Sequence, residues 1–210
     1  GGLVERLAAH DRPVVLVERS HSHLPTVAFD GAVGTEAAVR HLVRDHGARR
    51  VACLAGPADS EASRHREEAW ARALTDAGLV ADPALLARGS WSEADGIRLV
   101  ERLLAEGPAF DALFAVNDET AIGAIRGLER AGLRVPNDVR VCGFDDIPPA
   151  GWMRPGLTTV SAPPRILGRE AARMLIARIA GETTPTAIRI PTAPVIRSTC
   201  GCSQEEERVR

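Results

Sequence analysis

Two pairs of polar residues follow two predicted strands, at the points where each strand ends. Asn117 and Asp118 come directly after the apolar run DALFAV, and Asp145 and Asp146 come directly after VRVCGF. In an open parallel sheet, ligands bind outside the carboxyl ends of the strands, because side chains and helix N-termini converge there. Each pair alone also fits helix capping or an Asx turn. Two such pairs on consecutive strands favour a division of labour, in which one residue shapes the backbone and the other faces a ligand.

Cysteine and histidine residues raise the question of a metal site. Cys200 and Cys202 stand two residues apart, but two thiolates are only half of a zinc site and no histidine lies near them in the sequence. His21 and His23 lie in a predicted loop, where contact with a ligand is the alternative to metal binding. We therefore predict no metal and no cofactor, and we interpret residues 200–210 as a polar tail.

The sequence motifs of common α/β enzymes are missing. The segment AGPADSEASR, which follows the third predicted strand, is neither a G-x-G-x-x-G sequence nor a P-loop. No nucleophile elbow and no Ser-His-Asp order appears. These absences predict a protein that is not an enzyme and has no catalytic residues.

The elements that must position these residues form an α/β pattern. Short apolar runs alternate with amphipathic helical stretches, which predicts parallel βαβ units. Their nearly continuous apolar character indicates sheets covered by helices on both faces. The predicted strands are residues 13–17, 26–29, 50–56, 111–116 and 139–144.

Capping residues mark the predicted helix ends. Ser92, with Asp95 three residues later, predicts one helix start, and Asp118 predicts another. Glycines stand where left-handed C-terminal caps belong, at Gly78, Gly132 and Gly181.

The composition and charge of the chain limit the kinds of protein that it can be. The chain has 210 residues, of which 45% are hydrophobic, so it is long enough to bury a core. The net charge is −2 and the basic residues are scattered, so these residues do not predict a nucleic-acid-binding surface. No apolar run of membrane-spanning length and no export signal is visible, which predicts a cytoplasmic chain. Cys53 and Cys142 lie in predicted strands and are expected to be buried, reduced thiols.

Segments along most of the chain resemble a known family. They are PVVLVER, VAFDGAVGTEAAVRHLVRDHGARRVACLAGP, SRHREEAWARAL, FAVNDETAIGAIRGLERAGLRVPNDVRVCGFDD, PGLTTVSAPPRILGREAARML and VIRST. Together, from about residue 12 to residue 198, they resemble the effector-binding region of the lactose/galactose-repressor (LacI/GalR) family. The resemblance implies the two-lobed fold of periplasmic sugar-binding proteins, in which each lobe is a parallel sheet flanked by helices and crossover strands link the lobes.

The resemblance also implies a division of this chain into lobes. Residues 1–48 and 162–186 are expected in the first lobe, and residues 49–161 and 187–199 in the second. The first lobe lacks the family's opening βαβα units, so we expect it to be incomplete and the sequence to begin in mid-lobe. No helix-turn-helix is present in these residues.

The family's effector contacts carry over to matching positions of this sequence. Arg64 in SRHREEAW matches an arginine that reaches the ligand, and Trp91 matches an aromatic residue that packs against it. Asn117 and Asp145 match the polar pair at the strand ends. Each also has a plain structural interpretation, because Arg64 could lie on a solvated helix face and Trp91 in a core.

The first lobe is expected to add Glu18 and Arg19, which follow its strand. Pro164 stands where the family often has an aromatic residue after the crossover, so one wall of the pocket differs.

The resemblance implies a ligand-sensing domain of a LacI-type transcriptional regulator. A small sugar-like effector would bind between the lobes and control DNA binding by an N-terminal helix-turn-helix that is not in these residues. Two alternatives remain open at this point: a solute-binding protein of a sugar transporter, and a sensor domain fused to a C-terminal signalling module. In all three, the ligand acts by favouring one arrangement of the lobes.

A homodimer is the predicted assembly. The family's two-fold interface corresponds here to residues near 119–131 and 147–154. The second range contains Trp152 and Met153. Small and apolar residues in the first range are Ala121, Ile122, Ala124, Ile125 and Leu128, and they could allow close approach of an identical partner. The alternative is that both segments pack only within their own lobe.

Overall fold

The structure is a computed structural model that describes residues 2–9 and 12–203; residues 204–210 of the predicted polar tail lie outside the described residues. Its elements in chain order are α1 (Leu3–Ala8), β1 (Leu16–Val17), β2 (Thr26–Phe29), α2 (Gly31–Arg44), β3 (Val51–Ala55), α3 (Glu61–Asp76), β4 (Leu86–Arg88), α4 (Glu93–Glu106), β5 (Ala112–Ala115), α5 (Asp118–Arg130), β6 (Arg140–Cys142), α6 (Pro148–Trp152), β7 (Thr159–Ser161), α7 (Pro164–Ile179), β8 (Ala187–Ile190) and β9 (Ala193–Val195). Single 3-10 turns lie at Pro83–Leu85 and Ser198–Cys200.

The chain divides into two compact units. Of the described residues, 2–9, 12–30 and 163–191 form the first unit, and 31–162 and 192–203 form the second. The chain therefore passes from one unit to the other after Asp30, after Ala162 and after Pro191. Parallel sheets flanked by helices confirm the predicted α/β fold class.

The first unit contains a three-stranded parallel sheet in the order β1-β2-β8. Strand β2 matches the predicted strand 26–29, whereas only Leu16 and Val17 of the predicted strand 13–17 pair with it. The buried core of this unit is small. Its main cluster consists of Val27 from β2, Leu167 and Met174 from α7, and Ile190 from β8.

The second unit contains a four-stranded parallel sheet in the order β4-β3-β5-β6. Strands β3 and β5 are buried along their whole length, as their apolar sequences predict. Strand β4 was not predicted; its three residues end in the exposed Arg88, whereas the three residues of β6 lie within the longer apolar run 139–144. The thiols of Cys53 in β3 and Cys142 in β6 are buried and unpaired by disulfide, as predicted.

Predicted caps define several helix ends in this unit. The Ser92 side chain accepts a hydrogen bond from the Asp95 backbone N–H and begins α4. Gly78 and Gly132 have φ values of 73° and 80°, in the left-handed region that suits a helix C-terminus. The predicted cap at Asp118 is wrong by one residue: Asn117 is the N-cap of α5, and its Oδ1 accepts from the Thr120 N–H.

Two boundaries differ from the predicted lobes. Helix α2, expected in the first lobe, belongs to the second unit because it packs on α3 and on the antiparallel pair β7-β9. The Gly34 N–H donates to Thr192 Oγ1 at 3.1 Å, and a Cβ at Gly34 would lie 2.4 Å from Val160 Cγ1. Strand β8, expected in the second lobe, belongs to the first unit because it pairs with β2.

The helix α5 packs tightly on α4 in the same chain. A Cβ at Gly96 would lie 2.2 Å from the Thr120 carbonyl oxygen, and a Cβ at Gly123 would lie 2.0 Å from the Glu93 carbonyl oxygen. The small residues of α5 therefore allow two helix backbones of this chain to approach. Among the described residues, no helix is both long and apolar enough to cross a membrane.

Candidate functional site

Asn117 joins the end of β5 to the loop that precedes α4. Its Oδ1 caps α5, and its Nδ2 donates to the Trp91 carbonyl oxygen at 2.8 Å. The residue is only 6% exposed, and both ends of its amide are hydrogen-bonded within the unit. Asn117 therefore positions Trp91 next to the strand ends.

Trp91 lies against the end of β3. A Cβ at Gly56, which directly follows β3, would come within 2.9 Å of Trp91 Cζ2, so only glycine leaves room for this ring. The Gly56 N–H donates to Ser63 Oγ at 2.8 Å, which connects the same turn to the first turn of α3. The indole is partly exposed and offers a face to a ligand.

Arg66 is the arginine that the structure brings to these strand ends. Its guanidinium carbon lies 3.6 Å from the centroid of the Phe144 ring and 6.0 Å from that of Trp91. Its Nη1 donates to the Val116 carbonyl oxygen at 2.7 Å, immediately after β5. Arg66 is 6% exposed, and a guanidinium this buried needs such partners to offset its desolvation.

Arg64, the predicted arginine, is exposed on α3, whereas Arg66 is buried. Residues two apart on a helix point in nearly opposite directions, because each residue advances the helix by about 100°. The buried residues of α3 are Ser63, Arg66, Ala69, Trp70, Ala73 and Leu74. Their spacing of three and four residues includes Arg66 and excludes Arg64, and this periodicity is the sequence signal that would have identified it.

Asp145 and Asp146 have different surroundings, and the predicted division of their roles stays a prediction. Both follow β6 with positive φ values, 110° and 58°, which makes a tight turn at the strand end. Asp146 Oδ1 accepts from Arg197 Nη2 at 2.7 Å and is thereby held in place. Asp145 Oδ1 lies 3.8 Å from Arg66 Nη1, and its side chain is 37% exposed. The carboxylate of Asp145 is thus the more accessible of the two.

Asp118 lies in the interior of the second unit and is completely buried. Its Oδ1 accepts from Thr159 Oγ1 at 2.5 Å and its Oδ2 from the Ile147 N–H at 2.9 Å. Burial raises the pKa of Asp118 to about 7, and the negative charges of Asp145 and Asp146 act in the same direction. The two hydrogen bonds oppose this rise. Through its hydrogen bond from Ile147, Asp118 connects the loop after β6 to the start of α5.

Glu18 and Arg19 lie in the first unit, after β1. Glu18 has a φ of 54°, and its Oε1 accepts from the Phe29 N–H at 2.6 Å. The Arg19 carbonyl oxygen accepts from Thr26 Oγ1 at 2.7 Å, while its side chain is exposed. Both residues occupy the end of the β1-β2 pair, and their predicted contact with an effector stays a prediction.

Four described residues therefore meet at the carboxyl ends of β3, β5 and β6: Arg66, Trp91, Phe144 and Asp145. Phe144 was not predicted as a site residue, although it precedes Asp145 in the predicted strand. The group combines a guanidinium and a carboxylate with the partly exposed Trp91, whereas Phe144 is fully buried and its ring face is covered by the guanidinium. Such a set hydrogen-bonds hydroxyl groups and packs against the C–H faces of a sugar ring.

Comparison with known proteins matches this arrangement to a family. Residues 39–200 match the sequence profile of the periplasmic binding protein-like domain. The transcriptional regulator CelR of Thermobifida fusca is 36% identical over 187 residues, which are 89% of this chain and 54% of that protein. The chain belongs to the LacI family. It spans about half the length of the curated LacI-family relatives that it matches.

Solved LacI-family structures have the same fold. A CelR–cellobiose complex superposes with a TM-score of 0.83 at 32% identity, over 94% of this chain and 68% of that one. A lac repressor dimer bound to operator DNA and an anti-inducer superposes with a TM-score of 0.86 at 30% identity, over 94% and 59% of the two chains.

Proposed function

We propose that this LacI-family chain is the ligand-sensing part of a transcriptional regulator and that it binds a small sugar or sugar derivative. The observation that carries the proposal is the placement of Arg66. A buried guanidinium stacks on Phe144 and points toward the Asp145 carboxylate, at the carboxyl ends of three parallel strands. This edge is where ligands of open α/β sheets bind.

The chemistry of the group favours a polyhydroxylated ligand. The Arg66–Asp145 separation of 3.8 Å is longer than a hydrogen bond, so a hydroxyl group can hydrogen-bond to both residues. Trp91 adds an aromatic face that suits the C–H side of a pyranose. The relative CelR is solved with cellobiose, which supports a sugar as the ligand class.

We further propose that Arg66, Trp91, Asn117 and Asp145 carry binding in the second unit and that the exposed Arg64 contributes at most a peripheral contact. Contacts of Glu18 and Arg19 with the effector remain a prediction from the family. Asn117 acts by holding the Trp91 loop, because its amide is already hydrogen-bonded at both ends. The lobe boundaries of the whole regulator remain a prediction from the family.

The regulator is proposed to act as a homodimer on operator DNA. The relatives support this arrangement: CelR is named as a helix-turn-helix regulator, and the lac repressor is solved as a dimer on its operator. DNA binding would come from an N-terminal helix-turn-helix domain of the full-length protein. These relatives favour a regulator over a transporter's solute-binding protein, and binding over catalysis. A regulator of this kind works in the cytoplasm, where the chromosome is.

The dimer contact is proposed to lie near residues 119–131 and 147–154. The apolar α5 residues that suggested it are largely internal, because Ala121, Ala124, Ile125 and Leu128 are buried within this chain. Trp152 is different, since it is 76% exposed in α6. The proposal therefore depends mainly on Trp152.

A thermal-shift screen tests the proposed ligand class. The purified chain is screened against cellobiose and other oligosaccharides, monosaccharides, sugar acids and nucleosides. A ligand at 100 times its Kd adds about 2.7 kcal/mol to the free energy of unfolding. We expect at least one sugar to raise the Tm, and a response to nucleosides alone would contradict the proposed class.

A pair of matched variants locates the binding residues. Asp145→Asn keeps the side-chain shape and tolerates a positive φ, but it removes the charge that faces Arg66. We expect it to weaken sugar binding by roughly 10-fold to 100-fold, the worth of one hydrogen bond to a charged group. Asp138→Asn is the control, because Asp138 precedes β6 and pairs with Arg134 instead. Equal affinities in the two variants would contradict the site.

A further inference from the structure

Four metal-ligating side chains converge in the second unit, away from the strand ends described above. His41 lies in α2, His46 follows that helix, and Cys200 and Cys202 flank Gly201 near the end of the described chain. The four ligand atoms all lie within 4.8 Å of one another. The prediction of an inert cysteine pair considered only histidines that are near in the sequence, whereas folding brings two histidines from more than 150 residues away.

Four of the six separations between these ligand atoms are close to those of a tetrahedral zinc site. Zinc–nitrogen bonds of about 2.0–2.1 Å and zinc–sulfur bonds of about 2.3 Å place ligand atoms about 3.3 Å (N–N), about 3.6 Å (N–S) and about 3.8 Å (S–S) apart. The Nε2 atoms of His41 and His46 are 3.1 Å apart. Sulfur–nitrogen distances are 3.4 Å for Cys200–His41, 3.6 Å for Cys202–His41 and 3.3 Å for Cys202–His46.

The surroundings of His41 orient it for metal binding. Its Nδ1 lies 2.6 Å from Asp45 Oδ2, where an Nδ1–H can donate to the carboxylate, and its Nε2 faces the two thiols. Zinc-bound histidines commonly donate their second ring nitrogen to a carboxylate in this way. The His41 side chain is also only 9% exposed, which shields the cluster from water.

The turn between the two cysteines also suits metal binding. Gly201 has a φ of 104°, and a Cβ there would lie 3.2 Å from His46 Nδ1. A glycine is therefore needed both for the backbone conformation and for the close approach of the imidazole. This turn directs both thiol groups toward the same pair of histidines.

We propose that His41, His46, Cys200 and Cys202 form a structural Cys2His2 zinc site. Two thiolates and two imidazoles are the ligands that tetrahedral Zn²⁺ prefers, whereas Mg²⁺ and Ca²⁺ require oxygen ligands. Four protein ligands complete the tetrahedron, so the site holds a structural ion rather than a catalytic one. Cys200 Sγ lies 3.1 Å from the Arg197 carbonyl oxygen, and binding releases the thiol protons of both cysteines to solvent.

The metal would fasten the segment Ser198–Cys202 to α2. This segment is already tied to β6, because Thr199 Oγ1 donates to the Val141 carbonyl oxygen at 2.8 Å. Zinc would add a connection to the helix that packs on β7 and β9. The site is independent of the proposed effector, since it shares no residue with the group around Arg66.

Metal analysis and cobalt substitution test the proposal. The chain, with any affinity tag removed, is purified from zinc-supplemented medium, dialysed against metal-free buffer and measured by plasma mass spectrometry. The apoprotein is then titrated with Co²⁺ and followed in the near-ultraviolet and visible range. We expect one zinc ion per chain, thiolate-to-cobalt charge-transfer bands, and the intense visible bands of tetrahedral Co²⁺.

Variants separate this site from adventitious binding. Cys202→Ser should abolish the charge-transfer intensity of its thiolate and release the zinc on dialysis. Asp45→Asn should keep the ligands but weaken zinc affinity about 10-fold to 100-fold. His23→Gln is the control, because His23 is an exposed histidine outside the cluster. Thiol labelling of the wild-type chain gives a readout that does not depend on how a variant folds: zinc should protect Cys202, which is partly exposed, whereas Cys200 is already buried.

Several outcomes would overturn the proposal. They are zinc content below one ion per several chains, a six-coordinate cobalt spectrum, a Cys202 thiol labelled equally with and without zinc, or a folded Cys202→Ser variant that retains zinc as the wild type does. A His23→Gln variant that loses the metal would assign it to a different site.

Discussion

Asp118→Asn is expected to change how the stability of this chain depends on pH. In the folded chain the buried Asp118 carboxyl is favoured in its neutral form, and its pKa is raised to about 7. Its ordinary value in an unfolded chain is about 3.9. The folded state therefore binds more protons than the unfolded state between these values. Stability from this group is present at low pH and is lost as the pH rises toward about 7.

The size of the effect follows from the width of that window. Each pH unit inside it changes the free energy of unfolding by about 1.4 kcal/mol, so raising the pH from about 5 to about 8 removes roughly 3 kcal/mol in the wild type. Asparagine resembles the neutral acid: its Oδ1 can accept from the Ile147 N–H while its Nδ2 donates to Thr159 Oγ1. Asp118→Asn should therefore be close to the wild type in stability at about pH 4, where the carboxyl is neutral in the folded state, and more stable than it at about pH 8.

Urea denaturation at a series of pH values, monitored by circular dichroism, measures this difference. The relevant quantity is the variant's unfolding free energy minus that of the wild type, because the titration of histidines and of other carboxyls cancels in it. Because Asp118 is buried, its titration controls how stability changes between its unfolded and folded pKa values. Asp95 and Asp138 have pKa values lowered to about 2 and titrate below that range. A difference that stays constant from acid to alkaline pH would refute the raised pKa.

Two further predictions concern packing and assembly. Gly123→Ala should destabilise the chain by at least about 1 kcal/mol, because the added Cβ would collide with the Glu93 carbonyl oxygen. Gly168→Ala is the control: a Cβ there meets nothing, so the change should be neutral or stabilising by up to about 1 kcal/mol. Denaturant titrations compare the two, and equal effects would contradict the close approach of α4 and α5. Trp152→Glu should convert the proposed dimer to monomer in light scattering, while Val80→Glu, at an equally exposed apolar residue, should not; a Trp152→Glu dimer would contradict the proposed interface.

Local sequence signals predicted the elements whose patterns are complete within a few residues. The apolar runs gave strands β2, β3, β5 and β6, and Ser92 marked the start of α4 because its hydroxyl caps the third residue beyond it. The short strand β4 gave no such signal. The one-residue error at the start of α5 has a similar local cause, because both Asn117 and Asp118 are good capping residues.

Both sites depend on contacts between residues that are far apart in the sequence, and local patterns do not predict such contacts. Arg66 rather than Arg64 meets Phe144 because of the helical phase of α3, which a motif match alone does not use. The histidine–cysteine cluster requires knowing that α2 packs beside the end of the chain. His41 and His46 have the spacing of a zinc-binding pair, yet nothing local connects them with Cys200 and Cys202.

Sugar binding beside Trp91 at the strand ends is tested most directly by a ¹⁵N-resolved NMR titration that follows the indole N–H signals. The chain has three tryptophans, so three signals are expected, and a Trp91→Phe variant assigns the relevant one. With the sugar selected by the thermal-shift screen, the Trp91 signal should shift in a saturable manner, while that of Trp70, buried under the sheet with its Nε1–H bonded to the Val51 carbonyl oxygen, should stay in place. Saturable sugar binding that leaves the Trp91 signal unchanged would contradict the account.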